Sequence, residues 1–220
     1  MSASMTYSKL IQHRVEEHNG AYSTGGGSPD PRSGRTPMGG STPTIRSARL
    51  TEAMTRLFIA VWPPEEVVAD LTALHRKDQR GVRFVVPESW HITLRFLGEA
   101  RPDDVRDALE GWAMPAATVR LGPAVDVLAE RALVVPAAGL DHIATEVAER
   151  TAHLGEPPRK RFTGHLTLAR FKPSADMPRV LGSTLSAEFV ADEIALVQSR
   201  LEPSGARYET IDTWPLGLSY

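Results

Sequence analysis

The chain has 220 residues, a formal net charge of -2, 41% hydrophobic residues and no cysteine. That length allows one domain or two small ones with a real core, the missing cysteine excludes disulfides and thiolate metal sites, and the near-neutral charge argues against a general nucleic-acid coat while leaving room for a local basic patch. No apolar run approaches the roughly 20 residues of a membrane span, and the first residues lack a signal peptide's apolar core, so a soluble, cytoplasmic protein with no membrane association is expected.

Residues 1–53 carry Gly25-Gly26-Gly27-Ser28-Pro29, Pro31, Pro37, Gly39-Gly40 and Pro43 with few large apolar side chains. Such a segment buries too little to offset its ordering entropy and reads as a disordered tail. A short helix over 7–18 is the most it could form, from the spacing of Leu10, Ile11 and Val15, and His13 and His18 then lie on the surface. The folded domain is expected to occupy 54–220, with the tail dispensable.

From Arg56 the character changes. Leu57-Phe58-Ile59-Ala60-Val61 is an apolar run of strand length closed by Pro63-Pro64. The prolines introduce a helix with Glu65 and Glu66 in its first turn, where carboxylates meet the positive end of the dipole, and Val67, Val68, Leu71 and Leu74 form its buried stripe. A short extended run over 83–86 leads through Pro87 into a strand that begins at Trp90. A helix is predicted from Pro102, with Val105, Leu109 and Trp112 inward, and strand over 118–128. A strand at Leu133-Val134-Val135, a helix over 140–154 with Leu140, Ile143, Ala144 and Val147 inward, and a strand from His165 follow. A brief helix over 178–185, a strand over 193–201 and a last strand over 208–213 complete the pattern.

The two strands that begin at Trp90 and His165 share a signature: His91-Ile92-Thr93-Leu94 and His165-Leu166-Thr167-Leu168. Side chains alternate along a strand, so each His and Thr share one face while the intervening apolar residues take the other. The histidines lie 74 positions apart, Ile59 and Leu133 are separated by the same 74, and the two helix starts by 76. Matched spacing of this kind marks a duplicated unit related by a pseudo-two-fold axis, which would carry one motif onto the other.

Two imidazoles and two hydroxyls in one pocket have a definite use. Imidazole and imidazolium are both accessible near neutral pH, so a symmetric pair supplies base and acid together, as hydrolysis of a phosphodiester requires. The threonine hydroxyls of Thr93 and Thr167 can donate to non-bridging phosphate oxygens. No metal and no cofactor is needed by this logic, and two histidines fall short of the usual zinc ligand set. An anionic substrate also suits Arg159, Lys160, Arg161, Arg170 and Lys172, with no carboxylate between 159 and 172, and Arg83 and Arg95 could extend the same field. His75, His142 and His153 fall at or on helices, outside the two repeated motifs, and are expected on the surface.

These residues resemble the two-histidine phosphoesterases, and more closely their RNA 2′,3′-cyclic phosphodiesterase branch, historically called 2′-5′ RNA ligases. The resemblance covers 56–216 and rests on Arg56-Leu57-Phe58-Ile59-Ala60, on Trp90-His91-Ile92-Thr93-Leu94-Arg95-Phe96-Leu97-Gly98, on Gly164-His165-Leu166-Thr167-Leu168-Ala169-Arg170 and on residues 208–216. It implies a bilobal α+β fold in which two antiparallel sheets, flanked by helices, enclose a cleft. It also implies opening of a 2′,3′-cyclic phosphate at an RNA end to a 2′-phosphate, with reversible 2′-5′ ligation in some members. His91 would be the proton donor, His165 the proton acceptor, and Arg170 a phosphate contact. The alternatives are another small cyclic phosphate, such as an ADP-ribose cyclic phosphate or a cyclic nucleotide, and a module that only binds RNA or nucleotide. The partners implied are RNA ends or small nucleotides bearing the cyclic phosphate, met by a monomer.

Two features depart from the family pattern. Ser89-Trp90 stands where members commonly have Asn-Leu, and the large indole is expected to reshape the cleft mouth. Strict alternation from His165 puts Arg170 on the opposite face; a bulge after Thr167 would bring it round, and without one Arg95 is the better-placed cation.

Overall fold

The computed structural model describes residues 53–217, apart from 75, 77, 130, 160, 203 and 204. The predicted tail with its helix over 7–18, His13 and His18, and also His75 and Lys160, lie outside the described residues. Chain order is β1 (Thr55–Val61), α1 (Glu65–Ala73), β2 (Val82–Phe84), β3 (Ile92–Ala100), α2 (Pro102–Ala108), β4 (Ala117–Leu121), β5 (Asp126–Leu128), β6 (Ala132–Ala138), α3 (Asp141–Arg150), β7 (His165–Phe171), β8 (Ala187–Ala191), β9 (Glu193–Glu202) and β10 (Gly205–Pro215). The strands run in the order β10-β9-β1-β3-β7-β6-β4-β8, with β2 added to β7 and β5 to β6. Two four-stranded antiparallel lobes therefore meet at β3 and β7, whose ladder is the single pair Ile92 and Leu166. This is the α+β, two-lobed arrangement that the sequence implies.

The duplication is visible residue by residue. In the first lobe Val61 pairs with Ile92, Ala60 with Thr93 and Ile59 with Arg95. In the second Val135 pairs with Leu166, Val134 with Thr167 and Leu133 with Ala169. Every pair is displaced by the same 74 positions. The lobes are nevertheless not the two halves of the sequence: β4 crosses into the second lobe between β6 and β8, while β9 and β10 return to the first.

The continuous apolar run of β1 follows from its place between β3 and β9, where both faces are covered. Leu57, Ile59 and Val61 enter the main core and Phe58 and Ala60 enter a smaller cluster on the other face. α1 buries Val67 and Leu71 and packs on β8; α3 buries Ile143, Ala144 and Val147 and packs on β3. Each helix thus covers a strand of the opposite lobe, and one apolar cluster runs through both. Ile92 and Leu166, at zero exposure, are the seam of that cluster. Truncating either to Ala should cost about 2–5 kcal/mol.

Two predicted elements differ. The strand over 118–128 is broken into β4 and β5 at Gly122, whose positive φ and close approach to the Leu185 carbonyl leave no room for a side chain. The helix predicted over 178–185 is a pair of turns. Its backbone is drawn into long-range bonds, Gly182 N–H to the Val125 carbonyl and Val125 N–H to the Ser183 carbonyl, both 2.9 Å, which compete with a helical ladder.

Candidate active site

The site is built where β3 and β7 touch. With Ile92 opposite Leu166 in an antiparallel ladder, extending the register by one residue each way sets His91 across from Thr167 and Thr93 across from His165. All four side chains are half-buried and leave the core to their apolar neighbours, as alternation requires.

The imidazoles are held alike. The Nδ1–H of His91 donates to the Ser89 carbonyl at 2.7 Å, and the Nδ1–H of His165 donates to the Thr163 carbonyl at 2.7 Å. A carbonyl can only accept, so Nδ1 carries the hydrogen in both rings and Nε2 is left as the nitrogen that gains or loses a proton. Each ring is thereby fixed by the strand entry two residues before it.

Their surroundings are not alike. His91 is walled by Phe58 at 4.8 Å, Tyr208 at 5.2 Å and Trp62 at 5.5 Å between ring centroids. Trp62 is steadied by its Nε1–H donating to Thr210 Oγ1 at 3.2 Å. Enclosure by these rings lowers the His91 pKa to about 4; the Ser89 carbonyl bond opposes the shift, and the positive fields of His165 and Arg170 add to it. At the pseudo-equivalent places in the second lobe stand Ala132 for Phe58, Pro136 for Trp62 and Arg170 for Phe96. The aromatic wall of His91 thus has no counterpart at these places in the second lobe.

The aromatic wall is the part that sequence reasoning missed. Its one legible signal is in β1: a run apolar on both faces means a second buried face, and that face holds Phe58. Tyr208 arrives on β10 through β9, a placement no local pattern encodes.

The arginines are sorted by two equivalent bulges. In β3, Leu94 is an extra residue between the pairs Ala60–Thr93 and Ile59–Arg95; in β7, Leu168 is extra between Val134–Thr167 and Leu133–Ala169. Each bulge reverses the alternation after the threonine. Arg170 therefore comes round to the face of Thr167, is exposed, and lies near enough to act on His91.

The same reversal takes Arg95 away, and this corrects its sequence assignment as a phosphate ligand. Arg95 is only 4% exposed, and its guanidinium donates to the carbonyls of Phe96, Leu154 (3.2 Å) and Glu156. It clamps the loop after α3 onto β3, where Gly155, at positive φ, lies too close to the Leu97 carbonyl for any side chain. Burial lowers its pKa from the ordinary arginine value, with Glu156 opposing.

Trp90 is likewise not at the cleft mouth. It is 1% exposed, packed in the main core, with the Arg76 guanidinium 4.9 Å from its ring centroid. His142 and His153 are exposed, as expected. Among the described residues no group of three or more His, Cys, Asp or Glu is placed to hold a metal ion, and no helix is long and apolar enough to cross a membrane.

Comparison with known proteins gives a consistent outcome. The family profile described as LigT like Phosphoesterase matches residues 61–121. A Thermus thermophilus protein named RNA 2′,3′-cyclic phosphodiesterase is 32% identical over 185 residues, covering 73% of this chain and 90% of the relative. A Methanocaldococcus jannaschii protein of the same name is 27% identical over 173 residues, covering 72% of this chain and 99% of the relative. The crystal structure of E. coli LigT complexed with 3′-AMP superimposes with a TM-score of 0.62 at 25% identity, over 75% of this chain and 99% of that one.

Proposed function

The chain belongs to the LigT-like phosphoesterases, and we propose that within this family it hydrolyses terminal RNA 2′,3′-cyclic phosphates to 2′-phosphates by acid–base catalysis. The observation that carries the reading is the twofold-repeated imidazole, pinned through Nδ1 with Nε2 free to exchange a proton, beside a threonine hydroxyl of each motif. Pure binding has no use for two proton-transfer groups. The names of the relatives and the 3′-AMP complex of E. coli LigT point to the same substrate class.

In this mechanism His165 Nε2 takes a proton from water as its oxygen attacks phosphorus. His91 Nε2–H gives a proton to the 3′-oxygen as the bond from phosphorus to that oxygen breaks, leaving a 2′-phosphate and a 3′-hydroxyl. Proton transfer through the products restores both rings. Thr93 and Thr167 donate to the non-bridging oxygens, and Arg170 balances the charge that builds on them. Burial leaves His91 neutral near pH 7, but the phosphate that enters beside it favours the imidazolium. Once charged, an imidazole walled by aromatic rings is a strong acid toward a leaving alkoxide.

The test is incubation with nucleoside 2′,3′-cyclic phosphates, with and without EDTA, and identification of the product isomer. A 2′-phosphate in both conditions is expected. A 3′-phosphate would reverse the leaving oxygen, activity abolished by chelator and restored by a divalent ion would redirect the chemistry to a metal, and no turnover of nucleoside or oligonucleotide substrates would end the reading.

A further inference from the structure

The ribbon formed by β2 and β7 carries more positive charge than the reaction uses. Val82, Phe84 and Phe171 turn to the main core. The opposite face therefore holds Arg83 and Arg170, directly across the ladder from one another, and Lys172, two positions beyond Arg170. Lys172 is tied back by its N–H to the Gly81 carbonyl at 2.9 Å. All three side chains are exposed. A row of exposed cations beside the reacting groups suits an anion.

The position of the ribbon relative to the histidines gives the anion its identity. Arg170 is the end of the row nearest His91. Lys172 lies one strand repeat farther out, about 7 Å, on the scale of neighbouring phosphates in an extended single strand. The Arg83 guanidinium lies against Gly205 at the start of β10, so close that a Cβ there would collide with its Nη2, and it spans the space between the two lobes. The hollow along the ribbon has a volume of about 400 Å³, and none of its lining residues, Gly81, Val82, Arg83, Arg170, Phe171 and Lys172, is acidic. A positively charged groove that follows a backbone outward from a reacting end is what single-stranded nucleic acid recognises.

We propose that Arg83 and Lys172 form a second phosphate site, holding the internucleotide phosphate on the 5′ side of the terminal nucleotide, so that the protein favours oligonucleotide ends over mononucleotides. The proposal rests on the reading of the cleft as a phosphodiesterase site, and its test separates the two. Calorimetry on the full chain measures binding of adenosine 3′-phosphate and of the 3′-phosphorylated dinucleotide ApAp, neither of which needs turnover, at 50 and 200 mM salt.

The wild type should bind the dinucleotide about 10- to 100-fold more tightly, the range of one charge-assisted phosphate contact. Arg83→Gln and Lys172→Gln should each remove about 10-fold of that preference and reduce the salt slope by about 0.7, with mononucleotide binding changed less than twofold. Arg83→Lys should restore the slope. Equal wild-type affinity for the two ligands, or variants that weaken both alike, would overturn the site. If Arg83→Gln lowers the thermal midpoint sharply, Lys172→Gln and the wild-type comparison still decide. Dinucleotide preference without hydrolysis of any cyclic phosphate would sink the enzymatic reading and keep the site; turnover of mononucleotides without that preference would do the reverse.

Discussion

Replacing His91 with Phe keeps a ring among Phe58, Trp62 and Tyr208 but removes the group that titrates. In the folded protein burial holds that group at about 4, against the usual 6.5. Between these values the unfolded chain carries a proton on His91 that the folded chain does not. Unfolding then takes up a proton, so stability falls as the pH drops from about 6.5 to about 4, and this group adds no pH dependence above that window. At about 1.4 kcal/mol per pKa unit the full window is worth at most about 3 kcal/mol. For a urea slope of about 1–3 kcal/mol/M this is a midpoint shift on the order of 1–3 M.

The assay is urea unfolding of the wild type and His91→Phe at pH 7 and pH 4. Carboxylates titrate in both proteins, so the readout is the difference between the two losses, and the wild type should lose about 3 kcal/mol more. Equal losses would show that the fold does not hold the imidazole neutral, and would refute the role given to the aromatic wall. The same depression should place the acidic limb of kcat/KM near pH 4, because that ratio reports the free enzyme.

Other outcomes are expected from the same geometry. His91→Ala and His165→Ala should each lower kcat by about 10²- to 10⁴-fold, with a double mutant far less impaired than the product of the two, and a substrate with an activated leaving group should rescue only His91→Ala. Thr93→Ala and Thr167→Ala should cost about 10- to 10³-fold, measured as kcat on the same substrate. Arg95→Met and Arg170→Gln should separate: the first should lose about 2–4 kcal/mol of stability in urea by leaving buried carbonyls unsatisfied, while the second should keep its unfolding midpoint and lose kcat/KM. A chain beginning at Met54 should match the full chain in thermal midpoint and kcat, since the described elements begin at Thr55; a large loss of either would give the first residues a role.

What the sequence determined by itself is what depends on neighbours along the chain. Alternation put His91 with Thr93 and His165 with Thr167 because side-chain direction in a strand is set residue by residue, and the 74-residue repeat announced the duplicated lobes because both copies keep the same order of elements. Tertiary structure decided whatever depends on which strands pair. The bulges at Leu94 and Leu168 exist only against β1 and β6, where two residues oppose one, and they exchange the roles of Arg95 and Arg170. Trp90 turns inward to fill the core that the lobes share, and Tyr208 reaches His91 only because β9 and β10 return to the first lobe. The two motifs are nearly identical in sequence, yet strands distant in sequence wall His91 with Phe58, Trp62 and Tyr208, and that burial lowers its pKa to about 4.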